Sequence, residues 1–138
     1  MFKRKILLTG GAGFIGGCLI RRLLTNDYNI IINLDKISYA SNLDWLKTIN
    51  NSNNHNLLKI DLCDYKNLEK TIFESEPDLI MHLAAESHVD RSIDNPKIFI
   101  ESNIIGTFNI LESSRKYYKS LTNEKRKLFK FIHISTDE

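Results

Sequence analysis

Three groups of residues in this chain have the types and spacing that chemistry requires. The first is Thr9-Gly10-Gly11-Ala12-Gly13-Phe14-Ile15-Gly16, with glycines at 10, 13 and 16. Between a strand and a helix, such glycines allow a tight turn, a close approach of backbone to pyrophosphate and close helix-to-strand packing. The helix N-terminus adds free amides and a partial positive charge. The second is Asp35, nineteen residues past Gly16, near the ~20-residue interval at which an acid accepts hydrogen bonds from an adenosine ribose. An aspartate there repels a 2′-phosphate, which favours NAD over NADP, whereas Lys36 beside it is a cation that works the other way. The third is the pair Asp137-Glu138. Neighbouring carboxyls can hold opposite protonation states, one raised in pKa by burial or by the other's charge, as a general acid and a general base must.

The elements that would position these residues follow from periodicity. Short, continuously apolar runs predict strands at residues 5–9, 30–34, 57–60, 79–82 and 129–134. Between them, Ile15, Leu19 and Leu23 recur at helical spacing, as do Tyr65, Leu68 and Ile72 after Asp64, an expected N-cap. A longer helix is expected after Pro96, with Ile100, Ile104, Ile110 and Leu111 on one side and Gly106 at a close contact. This alternation predicts one α/β domain, a doubly wound parallel sheet with helices on both faces. The polar stretch 50–56 reads as an exposed loop, and no internal repeat is evident.

Composition excludes several functions. The net charge is +2 with 26% charged residues, so no global field would gather nucleic acid or an anionic membrane. The densest basic stretch, 115–130, reads as a solvated helix end and loop. Cys18 and Cys63 lie far apart and suit neither a disulfide framework nor a zinc knuckle, which points to a reducing, cytoplasmic compartment. The first apolar run is broken at once by glycines, so neither an export signal nor a membrane span is expected. His55, His82, His88 and His133 are not at metal-ligand intervals, and no metal is expected.

The glycine turn, Asp35-Lys36-Ile37-Ser38-Tyr39-Ala40, His82-Leu83-Ala84-Ala85-Glu86-Ser87-His88-Val89-Asp90-Arg91-Ser92 and Ser135-Thr136-Asp137-Glu138 together resemble the extended short-chain dehydrogenase/reductases. Within them the chain is similar to the dTDP-glucose 4,6-dehydratase family, over essentially its whole length. The resemblance implies a Rossmann-type fold and a cofactor NAD held by Gly10, Gly13, Phe14, Ile15 and Gly16 at the diphosphate. It places Asp35, Lys36, Ile37 and Ser38 around the adenosine ribose and Asp61 and Leu62 beside the adenine. Leu83, Ala84, Ala85 and Glu86 would run along the cofactor, Ser87 between cofactor and sugar, and Ser102 at the nicotinamide side. It also implies that Thr136 bonds the glucose of a dTDP-glucose substrate, that Glu138 takes the C5 proton, and that Asp137 protonates the departing C6 hydroxyl. The hydride taken from C4 by NAD then returns to C6. A homodimer of the full-length protein, paired through helices such as the one after Pro96, is implied as well.

The family pairs a tyrosine base with a lysine as Tyr-x-x-x-Lys, and no such spacing occurs among residues 1–138. The expectation is therefore an NAD-binding portion, 1–138, with its sheet incomplete at the C-terminus and its substrate lobe absent, which would not turn over by itself. Two further readings stay open: a UDP-glucose 4,6-dehydratase or other nucleotide-sugar epimerase or dehydratase, and a non-catalytic NAD-binding module.

Overall fold

Each apolar run predicted as a strand is one in the computed structural model, which describes residues 3–48 and 53–135. The strands are β1 (Arg4–Thr9), β2 (Asn29–Asp35), β3 (His55–Lys59), β4 (Leu79–His82) and β5 (Lys130–His133). All pair in parallel, in the order β3-β2-β1-β4-β5. The chain winds one way from β1 to β3 and the other way from β4 to β5, so the topological switch falls between β1 and β4. In open α/β sheets that is where ligands bind. Register makes the switch a usable site: Thr9 pairs with Leu34 on one side and with His82 on the other. The glycine turn, Asp35 and the segment after His82 thus leave the sheet side by side.

Helices cover both faces because the strands bury alternate residues in opposite directions. Ile6, Leu8, Ile31 and Leu79 point to one face and pack with Ile20 of α1 (Phe14–Leu23) and Leu46 of α2 (Leu43–Lys47). Leu7, Ile32, Leu34 and Ile80 point to the other and pack with Leu68 and Ile72 of α3 (Tyr65–Ser75) and with Ile110 and Tyr117 of α6 (Thr107–Ser120). Asp64 caps α3 as expected, accepting from the Asn67 amide at 3.2 Å.

Several expectations are corrected. In α1 the core residue is Ile20, fully buried, whereas Ile15 is 66% exposed. The early helix needs Gly16 and Gly17 on its inner face to approach the glycine turn, which turns Ile15 outward. The segment after Pro96 is not one regular helix. α4 (Val89–Asp94) and α5 (Pro96–Phe99) lead into a π-helical turn over Ile100–Gly106, and only then does α6 begin. The wider turn rotates the helical face, so Ile100, Ile104 and Leu111 are exposed while Ile110 alone of that set is buried. The close contact expected at Gly106 is present: a Cβ there would lie 3.1 Å from the Leu62 Cβ. β3 begins at His55, inside the stretch expected to be a loop, and part of the basic stretch forms α7 (Asn123–Leu128), capped by Thr122.

Candidate functional site

The glycine turn is shaped by contacts within the chain. Gly10 has a φ of +78°, a conformation that L side chains rarely adopt, and a Cβ there would stand 2.8 Å from the Ala84 backbone. A Cβ on Gly16 would meet the Gly10 carbonyl oxygen, so Gly16 lets α1 rise directly from the turn. Gly13 differs, because its would-be Cβ meets only the Gly10 oxygen, at 3.3 Å. Gly13 is the N-cap of α1 and supplies no side-chain cap, so the first amides of the helix have no side-chain acceptor there.

Asp35, at the end of β2, ties this turn to its own loop. One carboxylate oxygen accepts from the Ala12 amide at 2.9 Å, and the other from the Ile37 amide at 2.8 Å and the Ser41 hydroxyl at 3.4 Å. A carboxylate held by two backbone amides is fixed in direction.

On the opposite side lies the segment after β4. The Thr9 hydroxyl accepts from the Leu83 and Ala84 amides at 3.2 and 3.1 Å, setting this segment against Gly10. The Glu86 carboxylate, 6% exposed, accepts from Lys36 Nζ at 2.9 Å on one oxygen and from the Tyr39 hydroxyl at 3.1 Å on the other. Lys36 Nζ also donates to Ser102 Oγ at 2.7 Å. The Asn103 side-chain amide spans the Glu86 backbone, accepting from its N–H at 2.8 Å and donating to its carbonyl at 2.9 Å. Arg91 lies 3.4 Å over the Tyr39 ring. Burial first, then the hydrogen bond and charge of Glu86, hold the Tyr39 phenol above its ordinary pKa.

Between these walls is a cleft with about 640 Å³ of empty space, its open mouth included. Of the residues expected from the sequence, Gly10, Asp35, Lys36, Ser38, Asp61, Leu62, Leu83, Ala84, Ala85, Glu86 and Ser102 line it together. Gly13, Phe14, Ile15, Gly16, Ile37 and Ser87 do not. Gly16 is buried beneath the turn, Phe14 is 75% exposed with its ring 5.1 Å from Trp45, and Ser87 is exposed. Thr136, Asp137 and Glu138 lie outside the described residues. The sequence reading missed Asn103, whose contact is with backbone and therefore carries no residue-type signal, and gave no role to Tyr39, a residue of the quoted motif whose partner is 47 residues away. It also missed Leu34 and Ile60, apolar strand ends on the cleft wall.

Beneath the cleft the His82 ring, fully buried, lies between Thr9 Oγ1, 2.7 Å from Nδ1, and Thr107 Oγ1, 2.9 Å from Nε2. It stacks on His133 at 5.0 Å, a pairing that sequence spacing does not reveal. Burial, and then the neighbouring His133, lower its pKa to about 4. Among the described residues, no three metal-ligating side chains gather into a site, and no helix is long and apolar enough to cross a membrane.

A parallel sheet wound in both directions, with a glycine turn and an acid at its switch point, defines a Rossmann-type nucleotide-binding protein. The chain belongs to the family described as GDP-mannose 4,6 dehydratase, whose model matches residues 7–138. It is 49% identical over 134 residues to a dTDP-glucose 4,6-dehydratase of Salmonella typhimurium, covering 97% of this chain and 37% of that protein. It is 46% identical over 135 residues to one of Neisseria meningitidis, covering 98% and 38%. The chain thus spans less than two-fifths of the length of these relatives. Among solved structures, the dTDP-glucose 4,6-dehydratase of Bacillus anthracis in complex with NAD superposes with a TM-score of 0.78 at 33% identity, covering 97% of this chain and 38% of that one. The UDP-glucose 4-epimerase of Thermotoga maritima superposes with a TM-score of 0.77 at 32% identity, covering 96% and 38%.

Proposed function

We propose that this chain is the NAD-binding portion, residues 1–138, of a dTDP-glucose 4,6-dehydratase, which converts dTDP-glucose to dTDP-4-keto-6-deoxyglucose. The observation that carries the reading is the cleft itself. Gly10, Asp35 and the Leu83–Glu86 segment meet at the switch point, in a chain nearly half identical to enzymes of that name. The residues suit a dinucleotide: an uncapped helix start for the diphosphate, a fixed carboxylate for ribose hydroxyls, and apolar Leu34, Ile60 and Leu62 walls for an adenine. NAD would supply hydride storage during the reaction. The chain's own residues orient the cofactor: Gly13, Phe14, Ile15 and Gly16 at the diphosphate, Asp35, Lys36, Ile37 and Ser38 at the ribose, with Ser102, bonded to Lys36 at 2.7 Å, at that end rather than at the nicotinamide side, and Ala85 and Ser87 toward the nicotinamide. Thr136 bonds the sugar, Glu138 accepts the C5 proton and Asp137 gives one to the leaving C6 hydroxyl.

The other parts of the reading have their own supports. Ile100, Ile104, Phe108 and Leu111 make an apolar stripe, 47–64% exposed, along the π turn and α6, suited to a homodimer built helix on helix. Cys18 and Cys63 are exposed free thiols, which suits a reducing cytoplasm. Fold likeness to a UDP-glucose 4-epimerase keeps epimerisation as the second reading, and Asp137-Glu138 discriminates the two chemistries. The test is to incubate the full-length protein and NAD with dTDP-glucose or UDP-glucose and follow the nucleotide sugar by mass spectrometry. Loss of one water from dTDP-glucose, abolished in Asp137→Asn and Glu138→Gln, is expected. An isomer of unchanged mass, or no reaction in protein that binds NAD, refutes the dehydratase reading.

A further inference from the structure

Asp35 by itself does not explain a choice between dinucleotides, because Lys36 is adjacent and faces the same cleft. An unoccupied lysine beside an adenosine ribose is what a 2′-phosphate binds. In this structure Lys36 is occupied: Nζ bridges Glu86 and Ser102 at 2.9 and 2.7 Å.

We propose that Glu86 is a specificity-determining residue that holds Lys36 away from a 2′-phosphate, so that the cleft selects the dinucleotide with a free 2′-hydroxyl. This rests on the dinucleotide reading above. The geometry of Glu86 makes the hold firm. Its two carboxylate oxygens have separate donors, Lys36 and Tyr39, and its peptide group is clamped on both sides by Asn103. With its peptide group fixed and one oxygen held by Tyr39, the buried carboxylate is restrained from following Lys36 outward. Its side chain is 6% exposed against 33% for Lys36. If Lys36 turned to a phosphate, it would strand a buried carboxylate, and an uncompensated buried charge is strongly unfavourable. The two acids act differently: Asp35 repels the phosphate directly, while Glu86 removes the cation that would offset that repulsion.

Glu86→Gln keeps the shape and one acceptor oxygen, but removes the charge and replaces the other oxygen by an NH2 that cannot accept from Lys36 or Tyr39. Binding of NAD and of NADP to the full chain is measured by calorimetry for the wild type, Glu86→Gln, Lys36→Met and the double variant. Wild type is expected to prefer NAD. Glu86→Gln should narrow the NAD-to-NADP affinity ratio about tenfold, as a freed, part-exposed lysine at a phosphate would. The double variant should return to the wild-type ratio. Lys36→Met alone should leave the ratio unchanged, and this holds as a test even if Glu86→Gln fails to fold. An unchanged ratio in folded Glu86→Gln, a gain for NADP that survives in the double variant, or a selective loss of NADP in Lys36→Met overturns the proposal. If the wild type binds neither dinucleotide, the underlying reading fails and the proposal with it; if it binds NAD and the ratio does not move, only the role of Glu86 fails.

Discussion

Gly13 and Gly16 belong to one motif, yet the structure separates their reasons for being glycine, and replacing each by alanine tests that separation. A Cβ on Gly16 would overlap the Gly10 carbonyl oxygen and stand 2.8 Å from the Gly10 carbonyl carbon and the Gly11 Cα. All three are backbone atoms of the turn, and no rotamer change relieves the overlap. Alanine within a helix is favoured over glycine by about 1 kcal/mol, but overpacking against fixed atoms costs about 1–3 kcal/mol or more. With an overlap this deep the upper end applies. A net loss of about 2 kcal/mol is expected for Gly16→Ala, a fall in Tm of about 6 °C for a chain of this length. Gly13 has φ −78° and ψ 176°, open to any residue, and its added Cβ would meet one atom at 3.3 Å. Exchanging glycine for alanine at the N-cap costs about 0.5–1 kcal/mol, and reduced freedom of the unfolded chain returns about 0.4–1 kcal/mol. Gly13→Ala should therefore stay within about 0.5 kcal/mol of wild type. The assay is urea unfolding of both variants without cofactor, followed by NAD titration of the folded ones. Gly13→Ala is expected to fold normally and to bind NAD at least tenfold more weakly, because its Cβ occupies the approach of the diphosphate. Equal destabilisation of the two variants, or a Gly16→Ala protein as stable as wild type, would refute the division of roles.

Other predictions concern the core, pH and surface. His82 is held neutral, with a folded pKa of about 4 against 6.5 ordinarily, so between these values the unfolded chain binds more protons and stability rises with pH. Acidification from pH 6.5 to 4 should remove about 3 kcal/mol through this group, read as a falling urea midpoint whose slope flattens in His82→Asn. Its facing titratable neighbour is His133, so His133→Phe should raise the His82 pKa modestly, as followed by histidine NMR. Ile110→Ala, at a fully buried site between helix and sheet, should cost about 2–5 kcal/mol, against under 0.5 kcal/mol for the equally apolar but exposed Ile104→Ala in a monomeric sample. Phe108→Glu, in the exposed stripe, should convert the proposed dimer to monomer by sedimentation; an unchanged dimer would exclude this face as the interface.

By itself, the sequence determined the strands, because continuous apolar runs between turns suit buried parallel strands and little else. It also determined the glycine turn and Asp35, whose meaning lies in residue type and local spacing. The tertiary structure decided what depends on distant partners. It decided that Ile20 and not Ile15 faces the core, because Gly16 must lie against the turn, and that the segment after Pro96 carries a π turn, which rotates Ile100 and Ile104 outward. It also brought Lys36, Glu86, Ser102 and Asn103 together across separations of 17 to 66 residues. Local sequence carries no record of a contact made with backbone or across a sheet. That is why Asn103 and the Glu86 partner of Tyr39 were invisible in it, and why the free cation that Lys36 suggests is, in the folded chain, one half of an ion pair.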